Sequence, residues 1–297
     1  MKLLVTGSGG FVGLPLVQAL RADGHEVRRL VRDPARCRAG EAYLWDPERG
    51  EIDPSAFTGV EGVIHLAGEN IASGRWTEAR LSRIRLSRVR GTRLLAEGIA
   101  RLPSPPRVFV SASATGFYGD RGEAWVDEAS PAGTGLLAGI CVEWEEATRA
   151  ASEAGVRCVL PRLGVVLSPA GGALGRMLPM FRLGLGGPLG TGRQYLSWVA
   201  LADLVGILRH CLVTPQLHGP VNAVSPSPVP QRDFARALGA RLHRPAWIPA
   251  PAPLLRLVLG RMADELLLSG ARVRPTRLLE SGYAFLAPGL EAGLAGV

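Results

Sequence analysis

Residues 1–13 read Met1-Lys2-Leu3-Leu4-Val5-Thr6-Gly7-Ser8-Gly9-Gly10-Phe11-Val12-Gly13. The apolar run Leu3 to Val5 predicts a buried parallel strand. Gly7, Gly10 and Gly13 follow at three-residue spacing. A helical pattern then begins, with Leu14, Val17 and Leu20 expected on its buried face. Strand, glycine turn and helix in this order form a dinucleotide-binding corner. Gly7 permits the tight turn, Gly10 lets the backbone approach a pyrophosphate, and Gly13 lets the helix pack close to the strand. Phe11 and Val12 lie in the same loop. The helix N-terminus offers free N–H groups and a partial positive charge to phosphates.

Outward from this corner the first half of the chain alternates between strands and helices. Strands are expected at Glu26 to Val31, Val60 to Leu66, Arg107 to Val110 and Arg157 to Leu160. Helices are expected over Thr77 to Arg101 and Leu136 to Ala154. This rhythm predicts an α/β fold, a Rossmann-like doubly wound parallel sheet that binds ligands at the carboxyl ends of its strands. From Pro169 the pattern gives way to a glycine-crowded stretch. It returns at Ala202 to Leu212 and Val221 to Val224, and ends in helices at Gln231 to Leu242, Pro253 to Leu259 and Ala263 to Leu268. The expected organisation is a nucleotide-binding domain over 1–168, rejoined by 200–225. A smaller C-terminal, substrate-side domain is expected from 169–199 and 226–297.

A chain of 297 residues with 47% hydrophobic and 20% charged residues can bury a large core. It has no apolar run of transmembrane length, and the first strand leaves no room for a signal peptide. Cys37, Cys141, Cys158 and Cys211 are scattered. They fit reduced thiols in a cytoplasmic protein better than a zinc site or a disulfide framework. The net charge of +8 admits anionic ligands, nucleic acid or a membrane surface. The one arginine cluster, Arg80 to Arg93, has no RNA-binding aromatic signature beside it, and a solvated helix face accounts for most of it. A small-molecule substrate is the expected partner, not nucleic acid or a membrane.

Lys2 is the only lysine; the other 33 of the 34 basic residues are arginine. The Thr-Gly-x-x-Gly-x-x-Gly spacing resembles the short-chain dehydrogenase/reductase superfamily. Its usual active site pairs a serine with Tyr-x-x-x-Lys, the ammonium stabilising a tyrosinate whose ordinary pKa of about 10 is too high for a base at neutral pH. Four positions after Tyr43, Tyr118, Tyr195 and Tyr283 stand Pro47, Gly122, Val199 and Ala287, so that pair is missing. Longer segments narrow the resemblance. His65-Leu66-Ala67-Gly68-Glu69-Asn70-Ile71, Gly74-Arg75-Trp76-Thr77, Phe181 to Pro188 and Met262-Ala263-Asp264-Glu265-Leu266-Leu267-Leu268-Ser269-Gly270 are similar to an atypical extended group of that superfamily. Its members are called "epimerase family" or nucleoside-diphosphate-sugar epimerase-like proteins and carry a C-terminal segment of uncharacterised role. The resemblance implies an extended dehydrogenase fold, bound NADP, and oxidoreductase or epimerase chemistry on a substrate it does not name.

Residues support NADP as the cofactor. The second strand ends Leu30-Val31-Arg32-Asp33, with no acid at its last position to take ribose hydroxyls. Arg32 can fork onto a 2′-phosphate, or it is a surface arginine. Asp33 is expected to face Arg36 or solvent. Leu66, Ala67 and Gly68 let the backbone approach the adenosine side, and the resemblance adds Arg88 on the cofactor. For catalysis, Ser113 follows the strand that carries the carbonyl-binding serine in extended members. Tyr118 is the candidate acid or a structural residue. Aligning the next helix on Glu145 puts Leu137 and Cys141 where tyrosine and lysine would stand, and Cys141 reads more simply as packing than as a nucleophile. Arg162, Arg176, Arg193 and Trp198 are the candidate substrate residues, with surface ion pairs as the alternative for the arginines. The alternative function is a non-catalytic NADP-binding sensor or structural protein.

Overall fold

A computed structural model describes residues 1–297. Leu3, Leu4 and Val5 are fully buried, and they form the central strand β1 (Lys2–Thr6). The strands that follow are β2 (Glu26–Val31), β3 (Ala42–Asp46), β4 (Glu51–Ile52), β5 (Gly62–His65), β6 (Val108–Ser111), β7 (Ser113–Ala114), β8 (Trp125–Val126), β9 (Arg157–Leu163), β10 (Val165–Leu167), β11 (Tyr195–Leu196), β12 (Trp198–Ala200), β13 (Gly219–Ala223), β14 (Val229–Pro230) and β15 (Arg272–Val273). The main sheet runs β13-β9-β6-β5-β1-β2-β3-β4, with β7 prolonging β6 beside β9. Its pairs are parallel except for β3 with β4. The chain order reverses between β1 and β5, and a crevice opens there at the carboxyl ends of the strands.

Helices cover both faces. α1 (Gly13–Ala22) lies on one face, and α2 (Glu78–Ala100), α3 (Leu136–Glu146) and α4 (Arg149–Glu153) follow. Then come α5 (Gly172–Arg182), α6 (Leu201–Val213), α7 (Gln231–Arg241), α8 (Ala252–Leu259), α9 (Thr276–Glu280) and α10 (Leu290–Gly293). Successive strand residues point to opposite faces, so Leu3, Val5, Ile64 and Val110 pack with Leu16, Leu20, Leu204 and Leu208 of α1 and α6. Leu4, Val63 and Phe109 pack with Leu95 and Ile99 of α2. A separate small core gathers Leu174, Leu178, Phe181, Trp198, Phe234 and Leu294 from the later part of the chain. No helix is long and apolar enough to cross a membrane.

The structure departs from the sequence reading in several places. The buried face of α1 is Gly13, Leu16, Val17 and Leu20, whereas Leu14 is 54% exposed. The single helix expected over 136–154 is two, α3 and α4. β3 and α5 carry no clear sequence signal. β3 is short, and α5 contains Gly172, Gly175 and Pro179, which resemble loop punctuation.

Candidate functional site

The glycine corner is built as tightly as its spacing requires. Gly7 has a φ of 66°, and a methyl there would lie 2.7 Å from the Leu66 carbonyl carbon. A methyl on Gly13 would collide with the Gly7 carbonyl oxygen, so this contact admits only glycine. At Gly10 the only neighbour within 4 Å of such a methyl would be that same oxygen, at 3.1 Å, and the rest of that side is open. The N-terminus of α1 has no side-chain cap. Phe11 and Val12 donate no backbone hydrogen bond, which leaves the N–H groups that a phosphate would take. The Phe11 ring packs on Gly171 and Gly172 at the start of α5.

The side of the corner nearer β5 is fixed by Thr6. Its hydroxyl accepts from the backbone N–H groups of Leu66 and Ala67, both at 3.2 Å, and lies 2.6 Å from His65 Nδ1. With both N–H groups donating to it, the hydroxyl proton goes to Nδ1, so His65 is neutral with its proton on Nε2. Burial, with the Arg88 charge second, pushes the His65 pKa down to about 3. Arg88 lies over the Trp144 ring and donates to the carbonyls of Glu69 and Ile84, both at 3.1 Å. A side-chain carbon on Gly68 would meet its guanidinium at 3.4 Å. At the end of β2, Arg32 is exposed and makes no ion pair or hydrogen bond, so its fork is free. Asp33 takes the Ala35 N–H and pairs with Arg36 at 3.5 Å, as its expected orientation requires.

These elements border a cleft of about 550 Å³ that runs from Val12 and Leu66 to Gly270 and Ala271. Ser113 borders it, and so do Leu137 and Cys141, one turn apart on α3. The Ser113 hydroxyl donates to Glu145 Oε1 at 2.6 Å. Glu145, one more turn along α3, is held by Arg162 through two bonds of 2.8 Å. Burial alone would lower the Arg162 pKa, but the Glu145 hydrogen bond and charge hold it above its ordinary value. Burial pushes the Cys141 thiol up to about 12, with the Glu145 charge adding to it, so Cys141 is a packing residue of this wall.

Five of the expected site residues lie outside the lining of the main cleft. Tyr118 is fully buried and lies outside the cleft. Its hydroxyl donates to Asn222 Oδ1 at 2.7 Å and accepts from Arg162 at 2.9 Å, and burial pushes its pKa up to about 12. It is part of the frame, not an acid in contact with substrate. Arg162 is itself buried, bound to Glu145 and Tyr118 and stacked 3.4 Å from the Phe117 ring centre. Trp198 is fully buried and donates to the Ser227 carbonyl. Arg176 reaches from α5 to the Ala72 carbonyl. Arg193 borders a separate hollow with Glu123 and Arg232. None of these four lines the main cleft.

Sequence reasoning missed two residues that shape the site. Asn222 ends the Tyr118 chain, and only the fold brings β13 to it. Glu265 sits in a short π-helical turn, Ala263–Leu267, where a further α-helix was expected. Its carboxylate accepts from the Leu136 and Leu137 N–H groups at 3.1 and 3.2 Å, capping α3 beside the cleft. The Met262 to Gly270 segment marked the region but not this role.

Comparison with known proteins adds to this geometry. Residues 3–223 match a family model described as "NAD dependent epimerase/dehydratase family". The chain belongs to that family. Residues 250–297 match a second model, "Domain of unknown function (DUF1731)". The family member from Mycobacterium tuberculosis, "Epimerase family protein MT2273", is 45% identical over 282 residues, covering 95% of this chain and 92% of the relative. The human "Epimerase family protein SDR39U1" is 40% identical over 297 residues, covering 99% of this chain and 98% of the relative. A crystal structure of human SDR39U1 (isoform 2) with NADPH matches at a TM-score of 0.90 and 38% identity, covering 99% of this chain and 98% of that one. The UDP-glucose 4-epimerase from Thermotoga maritima, solved with UDP-glucose, is 18% identical at a TM-score of 0.76 and shares the fold.

Proposed function

We propose that this epimerase-family chain binds NADP(H) and reduces a carbonyl group on a small organic substrate. The observation that carries the reading is Ser113, a hydroxyl held at the cleft wall beyond a phosphate corner and a free Arg32. The NADPH-bound human relative supports the cofactor. Gly7, Gly10, Gly13 and the Phe11 and Val12 N–H groups hold the pyrophosphate. Arg32 takes the 2′-phosphate, while Leu66, Ala67, Gly68 and Arg88 border the nucleotide. When bound, the nicotinamide supplies the hydride.

Ser113 swings its proton from Glu145 to the substrate carbonyl oxygen and so polarises it. Glu145, clamped by Arg162, keeps the hydroxyl at that place. Leu137 has no proton to give and the Cys141 thiol is a packing group of the wall, so the step assigns protonation of the product alkoxide to water. The test is NADPH consumption across a panel of carbonyl compounds, followed by Ser113→Ala. Removing one such hydrogen bond typically costs about 10²-fold or more in turnover. We expect that loss with NADPH affinity unchanged; an unchanged rate removes Ser113 from the site. A second reading, a non-catalytic NADP(H)-binding sensor, is favoured by Leu137 and Cys141 at the places of the superfamily's tyrosine and lysine. Tight NADPH binding with no hydride transfer to any substrate would decide for it.

A further inference from the structure

We infer that the cleft selects a small apolar substrate without a phosphate group and rejects nucleoside diphosphate sugars. This rests on the reading of the cleft as a cofactor-plus-substrate site, and it narrows the substrate class. The word epimerase suggests nucleotide sugars, whose diphosphate carries two negative charges that a binding site must meet with cations or free N–H groups.

The charged side chains bordering the cleft are Arg88, Asp120, Asp264 and Glu265, one cation against three carboxylates. Arg88 lies at the nucleotide end, against Gly68 and the Glu69 carbonyl. The carboxylates lie at the other end. Asp264 is paired with Arg256 at 2.8 Å, an arginine outside the cleft lining, while Asp120 takes backbone N–H groups of Gly122 and Gly270. Glu265 is the decisive group. The start of α3 is the one helix N-terminus at the substrate end, and Glu265 already fills it. A ligand phosphate would have to displace this carboxylate or lie against it. Of the candidate substrate arginines, Arg162 is committed to Glu145 and Arg176 reaches the Ala72 carbonyl, while Arg193 borders the other hollow, beside Glu123 and Arg232. Beside Thr134, Tyr195 and Ser269, the remaining walls carry Leu137, Ile140, Val165, Leu196, Leu266 and Ala271, an apolar surface that rewards burial of carbon.

Binding, not turnover, tests this. The NADP⁺-loaded protein is titrated by calorimetry with 2-octanone and cyclohexanone, and with UDP-glucose and UDP-glucuronic acid. We expect a ketone to bind at least about tenfold more tightly than either nucleotide sugar. Leu266→Glu and Leu196→Glu, made separately, should each weaken ketone binding by about tenfold or more and leave NADP⁺ affinity unchanged. Two sites keep the test open if one variant fails to fold. Tighter binding of a nucleotide sugar, binding of neither class, or ketone binding indifferent to both substitutions overturns the inference. Ketone binding without hydride transfer from NADPH would instead count against the reductase reading alone. Failure of NADP⁺ to bind would count against the cofactor assignment, and the ketone and nucleotide-sugar titrations are then compared on the chain alone.

Discussion

Single residues carry the cofactor assignment. Arg32 has no partner within the chain, so its guanidinium is uncommitted at the strand end where a 2′-phosphate would lie. Arg32→Ala should cost about 1.5 to 3 kcal/mol of NADPH affinity, the usual range for a hydrogen bond to a charged group, and little of NADH affinity. Calorimetry with both cofactors checks this, and equal losses would argue against the assignment. His65 makes a prediction of a different kind. Its pKa is about 3 in the folded chain and near 6.5 when unfolded. Above pH 6.5 the ring is neutral in both states and costs nothing. As pH falls from 6.5 towards 3, the unfolded chain takes up a proton that the folded one refuses, so stability is lost over that window. The loss reaches on the order of a few kcal/mol once the window is crossed. Urea melts from pH 7.5 to pH 4 should show the midpoint falling. The His65 ring resonance should stay fixed down to pH 5; a His65 resonance moving near pH 6.5 would contradict the buried neutral ring. The positions of the glycine corner, Arg32 and Ser113 were legible from the sequence, because each stands at a fixed offset from a strand end, whereas Arg88, on α2, came only from the family resemblance. The roles of Tyr118, Arg162 and Trp198 were not. Whether a polar side chain faces a cleft or a buried partner depends on residues such as Asn222, 104 positions from Tyr118.

At the scale of elements, α3 shows how a wall of the site is held. Leu137, Cys141 and Glu145 recur at four-residue spacing, so one stripe carries the apolar face and the carboxylate under Ser113. The first turn of α3 has no cap of its own, since Gly135 precedes it with a φ of 108°. Glu265 supplies the cap from another element. Glu265→Ala should therefore cost about 1 to 2 kcal/mol of stability through two lost charge-assisted bonds at a helix start. Glu265→Gln should recover part of it, as read by denaturant melts at neutral pH. A Glu265→Ala variant as stable as the parent would show that water replaces the carboxylate at no cost. The parallel strands and long helices around this wall were legible because apolar runs and helical periodicity announce them. β3, α5 and the turn around Glu265 were not, because their sequences contain loop-like glycines and proline or are too short to show a period.

Across the whole molecule the last fifty residues are part of the fold, not an appendage. Leu278 belongs to the core under α1 and α6, and Leu294 to the smaller core around Trp198. Val273 pairs β15 with β8. Asp203, buried at the start of α6, takes the backbone N–H groups of Leu286 and Ala287 at 2.8 and 2.9 Å. A chain ending at Ser269 would lose the Tyr283, Leu286 and Ala287 partners of that carboxylate together with the apolar burial of Leu278 and Leu294. It should show no cooperative unfolding transition by circular dichroism; a sharp transition with native-like helix content would argue against this dependence. Glu265 carries one more consequence, in the order of events during synthesis. It lies 129 residues after Leu136, so α3 leaves the ribosome on the order of ten seconds before its cap exists. The nucleotide corner and the first five parallel strands can meet in that interval. The capped start of α3 cannot form until the nascent chain is nearly finished, so the cofactor corner is expected to assemble before this wall of the cleft.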